Sequence, residues 1–190
     1  MYAPTVDGFS IRGSAVRYTE SPPTDDLSEV VHCFWELRTL ATLPDDFHYH
    51  ALPDACVNLL FNLVDPEIAG VTALHTQATT LNLGRSFHYA GVQFYPGAWQ
   101  GDRTEILDRY VGTPYVGGLP LVQTCRRLGG LEFLDMTTVL AELVRWCMSH
   151  GHARANVITA RILSNLDVRI PAKMTGESGD RDRLVRSGPA

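Results

Sequence analysis

Up to about residue 100 the apolar positions recur with a period of two, in short runs separated by Pro, Asp and Gly, which is the pattern of half-buried β-strands. Val16 to Tyr18 can begin a strand, Ser21 to Asp26 is a turn region, and Leu27 to Val30 can form one helical turn. Val31, Cys33, Trp35 and Leu37 alternate with His32, Phe34 and Glu36, so a strand would put these two sets on opposite faces. Phe47 to Ala51 and Cys56 to Phe61 flank Leu52-Pro53-Asp54-Ala55. Pro53 presets φ and Asp54 can bond the backbone ahead of it, so His48 to Phe61 reads as strand, tight turn, strand. In the second run Cys56, Asn58 and Leu60 would share one face, with Val57, Leu59 and Phe61 on the other. Gly70 to His75, Thr79 to Gly84 and Phe87 to Tyr95 read as further strands. Asn58 and Gln93 fall mid-strand among apolar neighbours, and both need partners if buried.

Near Tyr110 the period changes. Residues 112–118 read as a linker, and Leu119 to Leu128 as a helix with Leu121, Val122, Cys125 and Leu128 on one face. Asp135 would cap a longer helix whose stripe is Met136, Val139, Leu140, Leu143, Val144 and Cys147. Gly151 would stop it, and another helix is expected from about Arg154 to Leu166. Many short strands followed by helices predict an α+β fold: an antiparallel β-barrel or jelly roll, cupin-like, followed by two or three α-helices.

Composition adds little beyond a globular class. The chain has 190 residues, 45% hydrophobic and 19% charged, enough for one core with an appendage. No apolar run approaches the ~20 residues of a membrane span, and the N-terminus has neither a basic nor an apolar leader segment, so a cytoplasmic location is expected. Cys33, Cys56, Cys125 and Cys147 lie far apart and read as small buried hydrophobes. The net charge of −5 argues against a tight grip on nucleic acid. From His150 onward the balance turns weakly basic, with Arg154, Arg161, Arg169, Lys173, Arg181, Arg183 and Arg186 against Asp167, Glu177, Asp180 and Asp182. Residues 1–15 lack a period, and 175–190 are too poor in apolar residues to bury a core.

Leu52-Pro53-Asp54-Ala55-Cys56-Val57-Asn58-Leu59-Leu60-Phe61, followed by Gly91-Val92-Gln93-Phe94-Tyr95-Pro96-Gly97-Ala98, resembles the N-terminal sensor domain of one branch of AraC-type transcriptional regulators. That branch carries "L-P-D-G-C-V-D-L-I-F" and "G-V-x-F-x-P-G-A" segments. Tyr18, Pro22 or Pro23, Leu27, Val31 and Trp35 are similar to its opening pattern, and the resemblance spans about 16–166. Ala55 stands where the pattern has Gly, and Asn58 where it has an acidic residue. The resemblance implies a β-barrel sensor domain over 1–111 and a helical linker and dimerisation region over 112–152. It further implies that 153–190 hold the first helix of a helix-turn-helix domain and a disordered tail, the recognition segment being absent. The implied partners are a small-molecule effector and a second copy of the chain. DNA would be held weakly or not at all, and no membrane is involved.

For the effector, Trp35, Asn58, Gln93 and Tyr95, with Cys56, could share an inner face if the strand registers allow it, with His50 and Asp54 at the mouth. Alternatively Trp35 and Phe94 are core, and Asn58 and Gln93 are satisfied by backbone. A metal-dependent cupin-like enzyme is the competing class: His48 and His50 form an H-x-H on one strand, and His75, His88 or Glu67 could complete a site. The acidic residue that a cupin places just after its H-x-H is missing, no nucleophile–base pair stands out, and neither a cofactor nor a catalytic residue is assigned. A dimerisation module without a ligand is the third reading.

Overall fold

The computed structural model describes residues 15–66, 68–72, 74, 77–101 and 120–165. Expectations for residues 1–14, Glu67, His75, the 112–118 linker and the tail beyond Asn165 lie outside them. The described chain is α+β: β1 (Val16–Ser21), β2 (Val31–Thr39), β3 (Phe47–Ala51), β4 (Asn58–Asn62), β5 (Ala69–Val71), β6 (Thr79–Gly84) and β7 (His88–Phe94) precede α1 (Leu121–Leu128), α2 (Phe133–Ser149) and α3 (Val157–Asn165). A 3₁₀ turn spans Asp25–Leu27, two residues earlier than the helical turn expected from Leu27 to Val30.

The strands pair antiparallel in two sheets, β1-β2-β7-β4-β5 and β3-β6, not as one hydrogen-bonded barrel. The expected hairpin from His48 to Phe61 is therefore not formed. β3 pairs with β6, β4 pairs with β5 and β7, and residues 52–57 carry the chain from one sheet to the other. The composition explains the parting. β4 carries the fully buried Leu59 and Phe61 on one face and Leu60 between two amides on the other, and it pairs on both edges, whereas β3 alternates His48 and His50 with Phe47 and Tyr49 and suits a sheet covered on one side.

Two cores follow from the two faces of the larger sheet. One face (Phe34, Leu59, Phe61, Val92, Phe94) packs against Leu121 and Leu128 of α1 and Met136, Leu140 and Val144 of α2. Each such side chain contributes about 1.5–3 kcal/mol on burial. The opposite face joins the small sheet through Val16, Leu37 and Phe87, with Tyr18, Trp35, Phe47, Tyr49, Leu83 and Tyr89 around them. The register of β2 against β7 steps from Val31↔Phe94 to Cys33↔Gln93, so one extra residue sits in β2, a β-bulge. It corrects the expected alternation: Val31 joins Phe34 in the helix-side core, while Cys33, Trp35 and Leu37 remain together on the other face.

α2 begins before the expected Asp135 cap. Glu132 occupies the N-cap position and Asp135 falls in the first turn, where its charge still complements the helix dipole, because burial of Phe133 draws the start of the helix into the core. α3 starts at Val157 instead of Arg154. The backbone N–H of Arg154 donates to Ala98 O at 2.9 Å, and Asn156 caps the helix by accepting from Thr159 N at 3.3 Å. Asn156 also donates through Nδ2 to Pro96 O at 2.8 Å. Arg145 grips both carboxylate oxygens of Asp26 (2.8 and 3.2 Å) and ties α2 to the 3₁₀ turn.

In the crossover turn Asp54 Oδ1 accepts from Cys56 N at 2.9 Å and Ala55 is left-handed at φ 57°, a conformation that costs an L-residue roughly 1–2 kcal/mol. Ala55→Gly is expected to raise stability by about 1 kcal/mol, read as a higher urea midpoint with an unchanged slope; a lower midpoint would contradict the turn geometry.

Candidate functional site

The seam between the two sheets is where the polar side chains converge. By register, β1 contributes Tyr18 and Glu20, β2 Cys33 and Trp35, β7 Tyr89, Gly91 and Gln93, and β4 Asn58 and Leu60 to the face turned toward β3 and β6. Gly91 lies opposite Trp35, and a Cβ built there would stand 2.5 Å from Trp35 Cζ2 and 2.5 Å from Leu59 O. Only glycine lets the indole lie against the β7 backbone. Trp35, Tyr18, Tyr49, Tyr89, Leu60 and Leu81 are half-buried, and neither Leu60 nor Leu81 belongs to either core cluster. The small sheet thus covers the large one incompletely, leaving an apolar and aromatic face in partial contact with solvent.

Two neighbouring hydrogen-bonded chains run across this face. Trp35 Nε1–H donates to Asn58 Oδ1 at 3.2 Å, and the Asn58 backbone N–H donates to Thr72 Oγ1 at 2.9 Å. Next to Asn58 in register, Gln93 donates through Nε2 to Asp54 Oδ2 at 3.0 Å and accepts at Oε1 from His32 Nδ1 at 2.8 Å. The His32 ring meets Tyr95 edge-on, with centroids 5.4 Å apart. Both mid-strand amides are thus satisfied by side chains, as their burial demands.

The phenols and thiols here resist ionisation. Burial pushes the phenols of Tyr18, Tyr49 and Tyr89 up, with Asp54 adding to the effect on Tyr49 and Cys33 and Glu20 to that on Tyr18. Burial, with Cys33 and Cys56, also raises Tyr95. The Cys33 thiol is raised by burial and Glu20, and that of Cys56 to about 12 by burial and Asp54. At neutral pH these side chains are neutral.

Of the six residues singled out from sequence, Trp35, Asp54, Asn58 and Gln93 come together in this network. Tyr95 stands beside it through His32. His50 does not join them: it lies on the other face of β3 from Tyr49, with Nδ1 3.0 Å from Thr80 Oγ1. Its strand belongs to the smaller sheet, and the parity that turns Phe47 and Tyr49 inward turns His48 and His50 outward. His88 bonds Glu36 on the helix-side face of the large sheet, so these histidines do not converge. No group of three or more metal-ligating side chains occurs among the described residues. His32, Thr72, Tyr18 and Tyr49 were not singled out for the site. Tyr18 and Tyr49 could have been found from the parity of Leu37 and Phe47, but His32 reaches Gln93 only through the bulge in β2.

A second polar cluster lies on the opposite face. Glu36 is 1% exposed, with His88 Nε2 at 2.8 Å, Arg17 Nη2 at 3.3 Å and Arg38 Nε at 3.8 Å. Burial works to raise the pKa of this carboxyl, but the His88 hydrogen bond and the charges of Arg38, His88 and Arg17 outweigh it, and the net direction is down.

Residues 19–101, from β1 to the end of the β-strands, match DUF6597, a domain of unknown function. No curated protein and no solved structure matches the chain. A DUF6597 domain is therefore present; it takes in β2 to β7 and the second half of β1, while Tyr18 and α1, α2 and α3 lie outside it. No described helix is long and apolar enough to cross a membrane.

Asn58→Leu strands the Trp35 N–H and is expected to cost about 2 kcal/mol, with a shifted tryptophan emission. Asn58→Asp keeps the acceptor, and equal losses for both variants in urea unfolding would argue against the bond. Because the pKa of Glu36 is depressed by folding, its contribution is present above the unfolded carboxylate value of about 4.3 and fades as pH falls through the folded value. Glu36→Gln should flatten stability against pH below about 4.5 relative to the parent; parallel curves would show that Glu36 carries none of the acid sensitivity.

Proposed function

We propose that the two-sheet unit is the ligand-sensing part of an AraC-type transcriptional regulator, cytoplasmic and homodimeric, with the sheets as an open form of the cupin-like jelly roll. The observation that carries this reading is the seam. Half-buried rings of Trp35, Tyr18, Tyr49 and Tyr89 share the seam with the polar atoms of Asp54, Asn58 and Gln93, the combination of apolar wall and few fixed polar groups that small-molecule sites share. The residues that carry the regulator resemblance, Leu52 to Phe61 and Gly91 to Ala98, supply the crossover turn and the two strands beneath it. Three of their features have structural reasons at the seam: Asp54 in the turn, Gly91 under Trp35, and position 58 facing the indole N–H.

Binding is favoured over catalysis because the polar atoms at the seam bond one another and its thiols and phenols are held protonated, leaving no activated nucleophile. For self-association, α3 carries Ile158 and Ile162, one turn apart and 74% and 52% exposed, an apolar stripe suited to a second copy. DNA contacts by these 190 residues would be nonspecific, given their net charge of −5.

A thermal-shift screen against metabolites, aromatics and sugars tests the reading. A ligand at a hundredfold excess over its Kd should add about 2.7 kcal/mol of stability, and Trp35→Leu should abolish the rise in Tm. Absence of any stabilising compound, or a rise untouched by Trp35→Leu, would overturn it. Sequence-selective operator binding by these residues in a gel-shift assay would contradict the DNA part.

A further inference from the structure

We propose that the face of the large sheet turned away from the seam binds a small oxyanion, a phosphate or carboxylate group, between Arg17 and Arg38. The site stands apart from the seam and does not depend on the sensing role given to it. Charge count is the first ground. Arg17, Arg38 and His88 form one row across three neighbouring strands, Arg17 opposite Arg38 and Arg38 opposite His88. Like charges directly opposite one another on a sheet repel. One carboxylate, Glu36, serves the whole row. The strands carry one other carboxylate, Glu20, and its parity turns it to the opposite face. Both guanidiniums stay charged at any ordinary pH, so positive charge is in excess even with His88 neutral.

Unmet donors are the second ground. Glu36 meets His88 through Oε1 and accepts from Arg17 Nη2 through Oε2 at 3.3 Å. Arg38 Nε stands 3.8 Å from the same Oε2, near enough to attract but too far for a hydrogen bond. Arg17 Nε and Arg38 Nε are both buried, and neither has a hydrogen-bond partner among the described residues. A donor left unmet inside a protein is costly, and more so when it is charged. The two side chains are nevertheless 37% and 27% exposed, so an ion can reach them from solvent while Glu36 stays covered beneath. A guanidinium presents its N–H groups in a planar fork that matches two oxygens of a carboxylate or phosphate. One oxyanion between the two forks answers both the surplus charge and the shortage of acceptors. A halide would answer the charge alone.

The test titrates the whole chain with inorganic phosphate and with acetate, each against chloride at equal ionic strength, by calorimetry and thermal shift. The expected result is saturable binding of one oxyanion per chain, with a Tm above that in chloride. The tighter of the two probes tells a phosphate group from a carboxylate. Arg38→Gln should weaken binding about tenfold or more, and so should Arg17→Gln, which lies on the edge strand and keeps the site testable if the first variant fails to fold. Arg127→Gln, an exposed arginine paired with Glu142 instead, should leave binding unchanged. No saturable binding of either oxyanion at millimolar concentration would overturn the site. A rise in Tm that persists in both Arg17→Gln and Arg38→Gln would overturn it too, because phosphate stabilises folded proteins generally by exclusion from their surfaces.

Discussion

The central strands of the larger sheet must be covered on both faces, and the rest of the molecule is arranged to satisfy that. β4 and β7 carry Leu59, Phe61, Ala90, Val92 and Phe94 toward the helices, all 0% exposed, and Leu60, Gly91 and Tyr89 toward the other side. Left as a single layer, this sheet would expose one apolar face to water, at roughly 25 cal/mol per Å². α1 and α2 bury the apolar part of the first face. The second is covered by only two strands, and that inequality makes one side a packed core and the other a seam with half-buried rings.

The link between the layers is short. Residues 52–57 take the chain from the small sheet to the centre of the large one, so the turn lies at the rim of the seam. Asp54 therefore has two tasks at once: it closes the turn on Cys56 N and receives Gln93 across the seam. The strained Ala55 is the local cost of that path. On the far side, the return of the chain after α2 fastens to the end of β7's turn, where Trp99 pairs with Ala153 and Asn156 reaches Pro96 O. Gly97 is favoured by its φ of +76°, and a Cβ there would stand 2.9 Å from Asn156 Nδ2 and displace that amide. The helices and the sheets are in this way one packed body, sharing the core around Phe34 and Met136.

Much of the site was legible from two mid-strand amides. Asn58 and Gln93 each interrupt an apolar run, and a buried amide needs a partner, so their meeting partners at the seam follows from elementary hydrogen-bond accounting. Trp35 was legible as an inward residue from its spacing to Cys33 and Leu37. His50 was misplaced because its strand was assigned as a hairpin partner of β4, which would have turned it toward the same interior. Glu36 was read only as one member of an alternating polar set; its three partners come from β1, β2 and β7, and nothing local to Glu36 announces that Arg17 and His88 arrive beside it.

The alternation and turn residues determined, without any further context, where most strands run, the existence of three helices after them, and which residues share a face within each strand. Those properties are local, set by side-chain parity and backbone preference over a few positions. Which strands become neighbours, that β3 leaves β4 for β6, and that the bulge moves Val31 to the other core were decided only by the tertiary structure. They depend on which exposed faces and edges each element finds to bury, and contacts between segments tens of residues apart leave no periodic trace in either one.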